Sequence, residues 1–320
     1  MNTINYRFSP LVRQRLYRYR SFKRLPGYPF KDDPVKTLFA SWLKTCHRAF
    51  YLSGYAVKSE RQRIYQVMSD LFTWGKDDSM YDFNGAVVPK PATGSRGIFM
   101  WEFCDLILPH LIDSPEFCNC FHIEGPYELK QVCIDSGEVV IDCGANMGLF
   151  SAVSSAKGAN VYAFEPFEHI IQNFLSKTAI ANPNITICKY ALSDKEGAVS
   201  FVQNDNLYAH SRIIDIKDVK DKLLVSNKET ETVTVQTITL DKFVQENKLP
   251  RVDFIKADIE GAERLLLKGA KNTLKNLAPK LAICTYHIPD DPQVLRQLIL
   301  DANPNYVIEE RFLKMYAYVP

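Results

Sequence analysis

The run Asp142-Cys-Gly144-Ala-Asn146-Met-Gly148 sets a carboxylate and two glycines between an apolar stretch, Val139 to Cys143, and a helical stretch beginning near Leu149. A strand, a tight glycine turn and a helix start together make a nucleotide-binding element. The dinucleotide fingerprint Gly-x-Gly-x-x-Gly is not met, because Asn146 stands where its second glycine must let a pyrophosphate approach. That argues against NAD and FAD. Asp-x-Gly-x-Asn-x-Gly instead suits S-adenosylmethionine, whose sulfonium and zwitterionic methionyl tail carry no phosphate. On this reading Asp142 either orders the turn or faces the methionyl ammonium, and Gly144 and Gly148 allow close backbone approach. A second apolar run ends in Glu165, 23 residues beyond Asp142. A carboxylate at that strand tip accepts two hydrogen bonds from ribose hydroxyls. Alone, Glu165 would read as a surface charge; in order with the glycine turn, the pair points to an adenosyl cofactor.

A second set of chemical groups lies further on. Asp258 and Glu260 end a fourth run and Tyr286-His287 follow a fifth, so all should reach one rim of the sheet. Methyl transfer is an in-line displacement in which positioning supplies much of the rate, and an alcohol acceptor gains from a base that takes its proton. His287 is the first choice for that base, with Asp258 and Glu260 beside it, since an imidazole is partly neutral at pH 7. A capped loop histidine is the bland alternative. Asp258, Glu260 and His287 could also hold a divalent ion, but the preferred reading has no metal and lets the carboxylates orient substrate or His287. Glu263 opens the following helix, where an acid favours the helix dipole. Lys256 lies two residues before Asp258 on the same strand face and should pair with a carboxylate, because a lone buried ammonium is costly. Glu124-Gly-Pro-Tyr127-Glu128 precedes the first strand, where it could fold over the cofactor.

The elements that must position these groups are short apolar runs, each followed by a helical stretch: Val139 to Cys143, Asn160 to Phe164, Ile185 to Tyr190, Val252 to Ala257 and Lys280 to Cys284. They read as parallel strands with crossover helices. Asn305 to Glu309 and Phe312 to Tyr318 read as a closing antiparallel hairpin, and Val233, Val235 and Ile238 mark an extra strand inserted between residues 198 and 240. The expected architecture is an α/β doubly wound sheet with its site at the carboxyl ends of the strands. Upstream, residues 33 to 72 step by three or four apolar positions and read as helical, residues 75 to 97 read as a Gly- and Pro-rich linker, and Phe99 to Leu111 as a further helix. The layout expected is a mainly helical extension over 1–98 and a catalytic domain over 99–320.

Four motifs in order, Val139 to Gly148, Val161-Tyr-Ala-Phe-Glu165-Pro166, Tyr190-Ala-Leu-Ser-Asp-Lys-Glu-Gly197 and Phe254-Ile-Lys-Ala-Asp258-Ile-Glu260-Gly-Ala-Glu263, resemble the FkbM family of S-adenosylmethionine-dependent methyltransferases. The resemblance covers about residues 121 to 320. It implies a Rossmann-like class I methyltransferase fold with a seven-stranded sheet, and usually O-methylation of sugars, glycans or secondary metabolites. The third motif adds Ala191 to the cofactor-binding set of Asp142, Gly144, Asn146, Gly148 and Glu165. Where amide-nitrogen and nucleobase-amine methyltransferases commonly carry an Asn-Pro-Pro-Tyr type loop, this chain reads Asp258-Ile-Glu260-Gly261, which favours an oxygen acceptor.

Composition bounds the remaining choices. The 320 residues are 46% hydrophobic and 24% charged, near the globular average. No run approaches the roughly 18 apolar residues of a membrane-spanning helix, and no secretory signal is visible. Eight cysteines without a C-x-x-C pair point to a reduced, cytoplasmic protein; Cys118, Cys120, His122 and His110 carry zinc-type chemistry, but on a strand Cys118 and His122 would lie too far apart for one ion. Charge is uneven: the first 75 residues hold 14 Lys and Arg against 4 Asp and Glu, the rest 25 against 33. Arg7, Arg13, Arg15, Arg18, Arg20, Lys23 and Arg24 precede any acid, and Phe8, Leu11, Val12, Leu16, Tyr19 and Phe22 recur at helical steps. That arm is either a solvated helix packed on its own domain or a peripheral contact for an anionic membrane. The function expected is O-methylation of a sugar hydroxyl on a glycan, glycolipid or glycosylated metabolite. Nucleic acid is an unfavoured partner, because the catalytic half is acidic and lacks an aromatic and basic RNA-binding motif. A non-catalytic scaffold of the same fold is the third reading.

Overall fold

The computed structural model describes residues 73–74, 79–90, 102–107, 110, 125–203 and 231–320. The chain forms two compact units, Met1–Asn84 with Lys90–Ile123, and Gly85–Pro89 with Glu124–Pro320. This contact boundary falls at Glu124, whereas the sequence reading starts the catalytic domain at residue 99. The basic arm over 1–25, the helical reading over 33–72, and Cys118, Cys120, His122 and Glu124 lie outside the described residues.

In the first unit β1 (Thr73–Trp74) pairs antiparallel with β2 (Met80–Phe83), which buries Tyr81 and Phe83 on alternate positions. In the second, β3 (Ala86–Pro89) buries Ala86 and Val88. The linker expected over 75–97 is therefore corrected to contain two strands. Asn84 and Gly85 both adopt positive φ, 54° and 91°, the backbone a two-residue turn requires and that Asn-Gly supplies most readily. Phe103–Ile107, within the expected helix, is a π-helical turn.

The second unit carries the main sheet. Its elements run β4 (Val139–Cys143), α1 (Leu149–Ala156), β5 (Asn160–Phe164), α2 over 168–181 with a π-helical middle turn Ile171–Leu175, β6 (Ile185–Cys188), β7 (Ala191–Leu192), β8 (Gly197–Gln203) and β9 (Glu231–Ile238). They continue α3 (Leu240–Glu246), β10 (Phe254–Ala257), α4 (Glu263–Lys268), α5 (Lys271–Asn276), β11 (Lys280–Cys284), α6 (Asp291–Ala302), β12 (Val307–Arg311) and β13 (Lys314–Tyr318). The seven-stranded sheet has the order β12-β13-β11-β10-β4-β5-β6. β6, β5, β4, β10 and β11 are mutually parallel; β13 runs antiparallel to both β11 and β12. This is the order of a class I methyltransferase sheet, with the terminal hairpin inserted at one side. The chain order reverses between β4 and β10, so the carboxyl ends of these two strands frame the crevice where doubly wound sheets bind ligands.

Strands covered on both faces read as near-continuous apolar runs, and β10 is buried at all four positions, Lys256 included. Ile141, Phe164, Ile255, Leu281 and Ile283 meet Leu266, Leu295 and Ile299 of the helices in one core. β3 lies against α1 and α2, where Asn182 stands in for a strand partner: its Oδ1 accepts Val87 N–H at 3.2 Å and its Nδ2 donates to Val87 O at 2.6 Å. The extra strand expected around Val233, Val235 and Ile238 is β9. It does not enter the main sheet but builds a second one, order β7-β9-β8, antiparallel to β8 and parallel to β7. Its Val235 packs with Phe167 and Ile170. Among the described residues Cys133, Cys143, Cys188 and Cys284 form no disulfide, and burial pushes the Cys188 thiol up to about 12.

Candidate active site

Register explains the base of the site. Asp142 of β4 pairs in register with Lys256 of β10, so on neighbouring parallel strands their side chains leave the same face. Asp142 is 0% exposed; its Oδ1 lies 3.0 Å from Lys256 Nζ and its Oδ2 accepts Ser151 Oγ–H at 2.6 Å. Lys256 also donates to Gly144 O at 2.7 Å and Cys143 O at 3.2 Å. Lys256 has the carboxylate partner expected of it and links Asp142 to the carbonyls of the glycine turn. Removing either charge would strand the other in the interior.

The turn itself folds back on β5, with Gly144 and Ala145 N–H both donating to Phe164 O. Gly144 has φ 77°, and a Cβ there would fall 2.1 Å from Asp258 O; only glycine lets the tips of β4 and β10 come this close. At Gly148, φ 86°, a Cβ would fall 2.8 Å from Leu175 Cδ1. Asn146 has φ 50°, a region asparagine tolerates better than most residues. Its N–H donates to Glu165 Oε2 at 3.1 Å, while Glu165 Oε1 accepts Phe167 N–H at 3.0 Å. Glu165 is 4% exposed. Burial pushes its carboxyl up to about 7, against the two backbone donors and the Lys256 charge that oppose the rise. Each oxygen retains a lone pair for a further donor, which fits a ribose diol. Glu165 N–H and Tyr190 N–H both donate to Cys188 O, bringing the start of β7 to the tip of β5. Ala191, partly buried there, packs against the cluster of Phe167, Ile170 and Val235.

The acidic rim is assembled from four segments. Asp258, just past β10, accepts Tyr127 Oη–H on Oδ2 at 2.6 Å and Tyr286 Oη–H on Oδ1 at 3.2 Å. Burial would raise its carboxyl, but Lys256, the Tyr127 hydroxyl, His287 and Lys314 outweigh that and hold it below the usual range. His287 Nδ1 lies 3.0 Å from Glu263 Oε1, and its Nε2 lies 3.5 Å from Asp258 Oδ1 and 3.7 Å from Glu260 Oε2. The expected rim residues Asp258, Glu260 and His287 are therefore together. Burial would lower the His287 pKa, but Glu263 first, then Asp258 and Glu260, push it up to about 9. Glu260 holds φ 56° and Gly261 φ 100°; a left-handed glutamate is strained backbone of the kind that collects at functional sites. The loop carrying His287 is pinned by Asp291, which accepts Ile288 N–H at 2.9 Å and Arg264 Nε–H at 2.6 Å.

Two participants were not expected as such. Tyr127 lies in the segment thought to cover the cofactor, but its side chain is buried below the rim, its ring between Lys314 Nζ at 4.4 Å and Lys256 Nζ at 5.4 Å. Lys314 also donates to Gly125 O at 2.9 Å and Tyr316 Oη–H to Pro126 O, so β13 straps this segment down. Glu128 is structural, accepting Ile134 N–H and pairing with Lys157. Glu263, read from sequence as a dipole acid, is 0% exposed and turned toward His287. Asp258, Glu263 and His287 bring ligand atoms within 4.8 Å of one another, a set that could hold a metal ion.

Comparison with known proteins accords with this geometry. A curated relative, hexuronic acid methyltransferase AglP of Haloferax volcanii, is 26% identical over a match covering 56% of this chain and 70% of AglP. Methyltransferase sdnD of Sordaria araneosa is 27% identical, covering 56% of this chain and 82% of that protein. The crystal structure of methyltransferase FkbM from Methylobacillus flagellatus shares 21% identity at a TM-score of 0.43; the match covers 71% of this chain and 55% of that one. The family described as methyltransferase FkbM domain matches residues 142–310, from the acid of the glycine turn to the terminal hairpin. Its members take a methyl group from S-adenosylmethionine. The match spans more than half of the 320 residues, and the chain belongs to the FkbM family of methyltransferases.

Proposed function

We propose that this methyltransferase acts on a hydroxyl oxygen of a sugar, with a uronic acid unit of a glycan as the acceptor class. The name of AglP suggests that class. The observation that carries the oxygen assignment is the rim: an ionised, hydroxyl-supported Asp258 directly above the glycine turn, with no amide-binding loop in its place.

Asp142, Lys256 and Gly144 hold the turn, and Glu165 would take the ribose hydroxyls of S-adenosylmethionine. That cofactor supplies an electrophilic methyl group on a sulfonium. An acceptor hydroxyl placed against Asp258 would have a carboxylate oxygen in reach of the proton it loses as its oxygen takes the methyl group and the methyl–sulfur bond breaks, the neutral thioether being the leaving group; that proton is then strongly acidic. A carboxylate of low pKa is then an adequate receiver. Asp258 is better placed for this than His287, because its side chain is 23% exposed and that of His287 only 4%. His287, the base expected from sequence, stands behind it, its Nε2 3.5 Å from Asp258 Oδ1. Tyr127 and Tyr286 fix the Asp258 orientation, and positioning of this kind supplies much of the rate.

The test is Asp258→Asn. Cofactor affinity, measured by calorimetry, should stay within a few fold of wild type, while transfer to a uronic acid glycoside should fall roughly 100-fold or more. Full turnover in this variant would remove Asp258 from the reaction.

A further inference from the structure

Glu263 poses a problem that the site described so far does not solve. It is wholly buried on the first residue of α4. Its Oε1 accepts Ile259 N–H at 2.8 Å, but its Oε2 has no hydrogen-bond partner. Among the described residues no lysine or arginine pairs with it. Its neighbour is His287, whose two ring nitrogens are buried and make no in-line hydrogen bond although carboxylates stand 3.0, 3.5 and 3.7 Å away. A buried carboxylate oxygen and two buried ring nitrogens without aligned partners are costly unless something satisfies them.

We infer that Asp258, Glu263 and His287 form a binding site for a divalent first-row transition-metal ion, with Glu260 at its rim. Ligands about 2.0–2.2 Å from a common ion lie roughly 3–4.2 Å from each other, and the three ligand atoms here already lie within 4.8 Å, so small side-chain rotations close the set. One imidazole with carboxylates suits manganese, iron, cobalt or zinc better than calcium. The three ligands come from the ends of β10 and β11 and the start of α4, all fixed by the sheet or by the Arg264–Asp291 clamp. Three protein ligands leave coordination positions open at the rim. If the enzyme acts on sugar hydroxyls as proposed, an acceptor oxygen would occupy one of them, and its proton would become more acidic. The cation site itself does not depend on that reading.

The test uses the full chain, stripped with a chelator and titrated with Mn2+ or Zn2+ in the absence of cofactor and acceptor. The electron paramagnetic resonance signal of free Mn2+ reports uptake, and thermal unfolding reports linkage, since an ion that binds the folded state raises Tm. The expected result is one saturable site per chain and a metal-dependent rise in Tm, both weakened at least tenfold or abolished in His287→Ala and in Glu263→Gln. If Glu263→Gln does not fold, His287→Ala decides. No uptake of either ion by the folded wild-type chain, or equal uptake by His287→Ala, overturns the site. Either result leaves the oxygen-methylation reading standing, and a failed transfer assay leaves the metal site standing.

Discussion

Glu165 carries the most at the scale of single residues. Its carboxylate is buried at the tip of β5 and held by two backbone N–H groups, yet its pKa is pushed up to about 7. Two ribose hydroxyls can both donate strongly only to the ionised form, whose two oxygens are both acceptors. S-adenosylmethionine affinity should therefore rise as pH climbs through 7 and should be roughly tenfold weaker at pH 6 than at pH 7.5. Calorimetry across that range checks it, and Glu165→Gln should bind weakly with no such dependence. Glu165→Ala should cost on the order of 2–4 kcal/mol of affinity. A flat wild-type profile would take Glu165 out of the cofactor site. Glu165, Asp258, Glu260 and His287 were legible in the sequence because each stands one to three residues past an apolar run, where a parallel sheet must present it. Tyr127 was not: its bond to Asp258 spans 131 residues, and nothing in its own segment encodes a partner so distant. Glu263 was visible only as a helix-start acid, since its burial depends on packing against the loop after β11.

Strand tips and turns decide the element scale. The bounds of β4, β5 and β11 coincide with the apolar runs in the sequence, because strands buried on both faces have little freedom in composition. β6 stops at Cys188, short of the expected Tyr190, where the chain turns so that Tyr190 N–H meets Cys188 O. β2 and β3 were hidden in a stretch whose Gly and Pro content reads as linker, although Asn84-Gly85 was the available signal. β8 was missed for want of a strong alternation in Gly197–Gln203. Among the glycines of the site the tightest constraint is Gly144. In Gly144→Ala the new Cβ would meet Asp258 O at 2.1 Å on a backbone of φ 77°, so the tips of β4 and β10 must separate. The expected cost is about 2–4 kcal/mol in urea unfolding, with loss of cofactor affinity. A variant unchanged in both would mean the turn is not as closely packed as described.

At the scale of the whole molecule, charge divides unevenly along the chain. The first 75 residues hold 14 basic against 4 acidic side chains, and the remainder 25 against 33. No helix among the described residues is long and apolar enough to cross a membrane. For the basic arm the expectation is a peripheral contact with an anionic lipid surface, each basic residue contributing about 1 kcal/mol near it. The chain should cosediment with anionic but not neutral liposomes at low salt, and deletion of residues 1–25 should abolish this while leaving cofactor binding intact. Equal recovery with both liposome types, together with loss of folding on truncation, would contradict the membrane contact and favour an arm packed on its own domain. The sheet order was legible because four motifs fall at successive strand tips, whereas the acceptor was not, since no residue type on the rim is peculiar to one sugar. The most direct measurement is therefore of the acceptor atom: incubate the purified chain with methyl-labelled S-adenosylmethionine and uronic acid glycosides, and locate the label by mass spectrometry and NMR. The expected result is a single methyl ether on a sugar hydroxyl, absent with Asp258→Asn. Label on nitrogen, or none on any glycoside from a folded chain that binds the cofactor, would contradict the assignment.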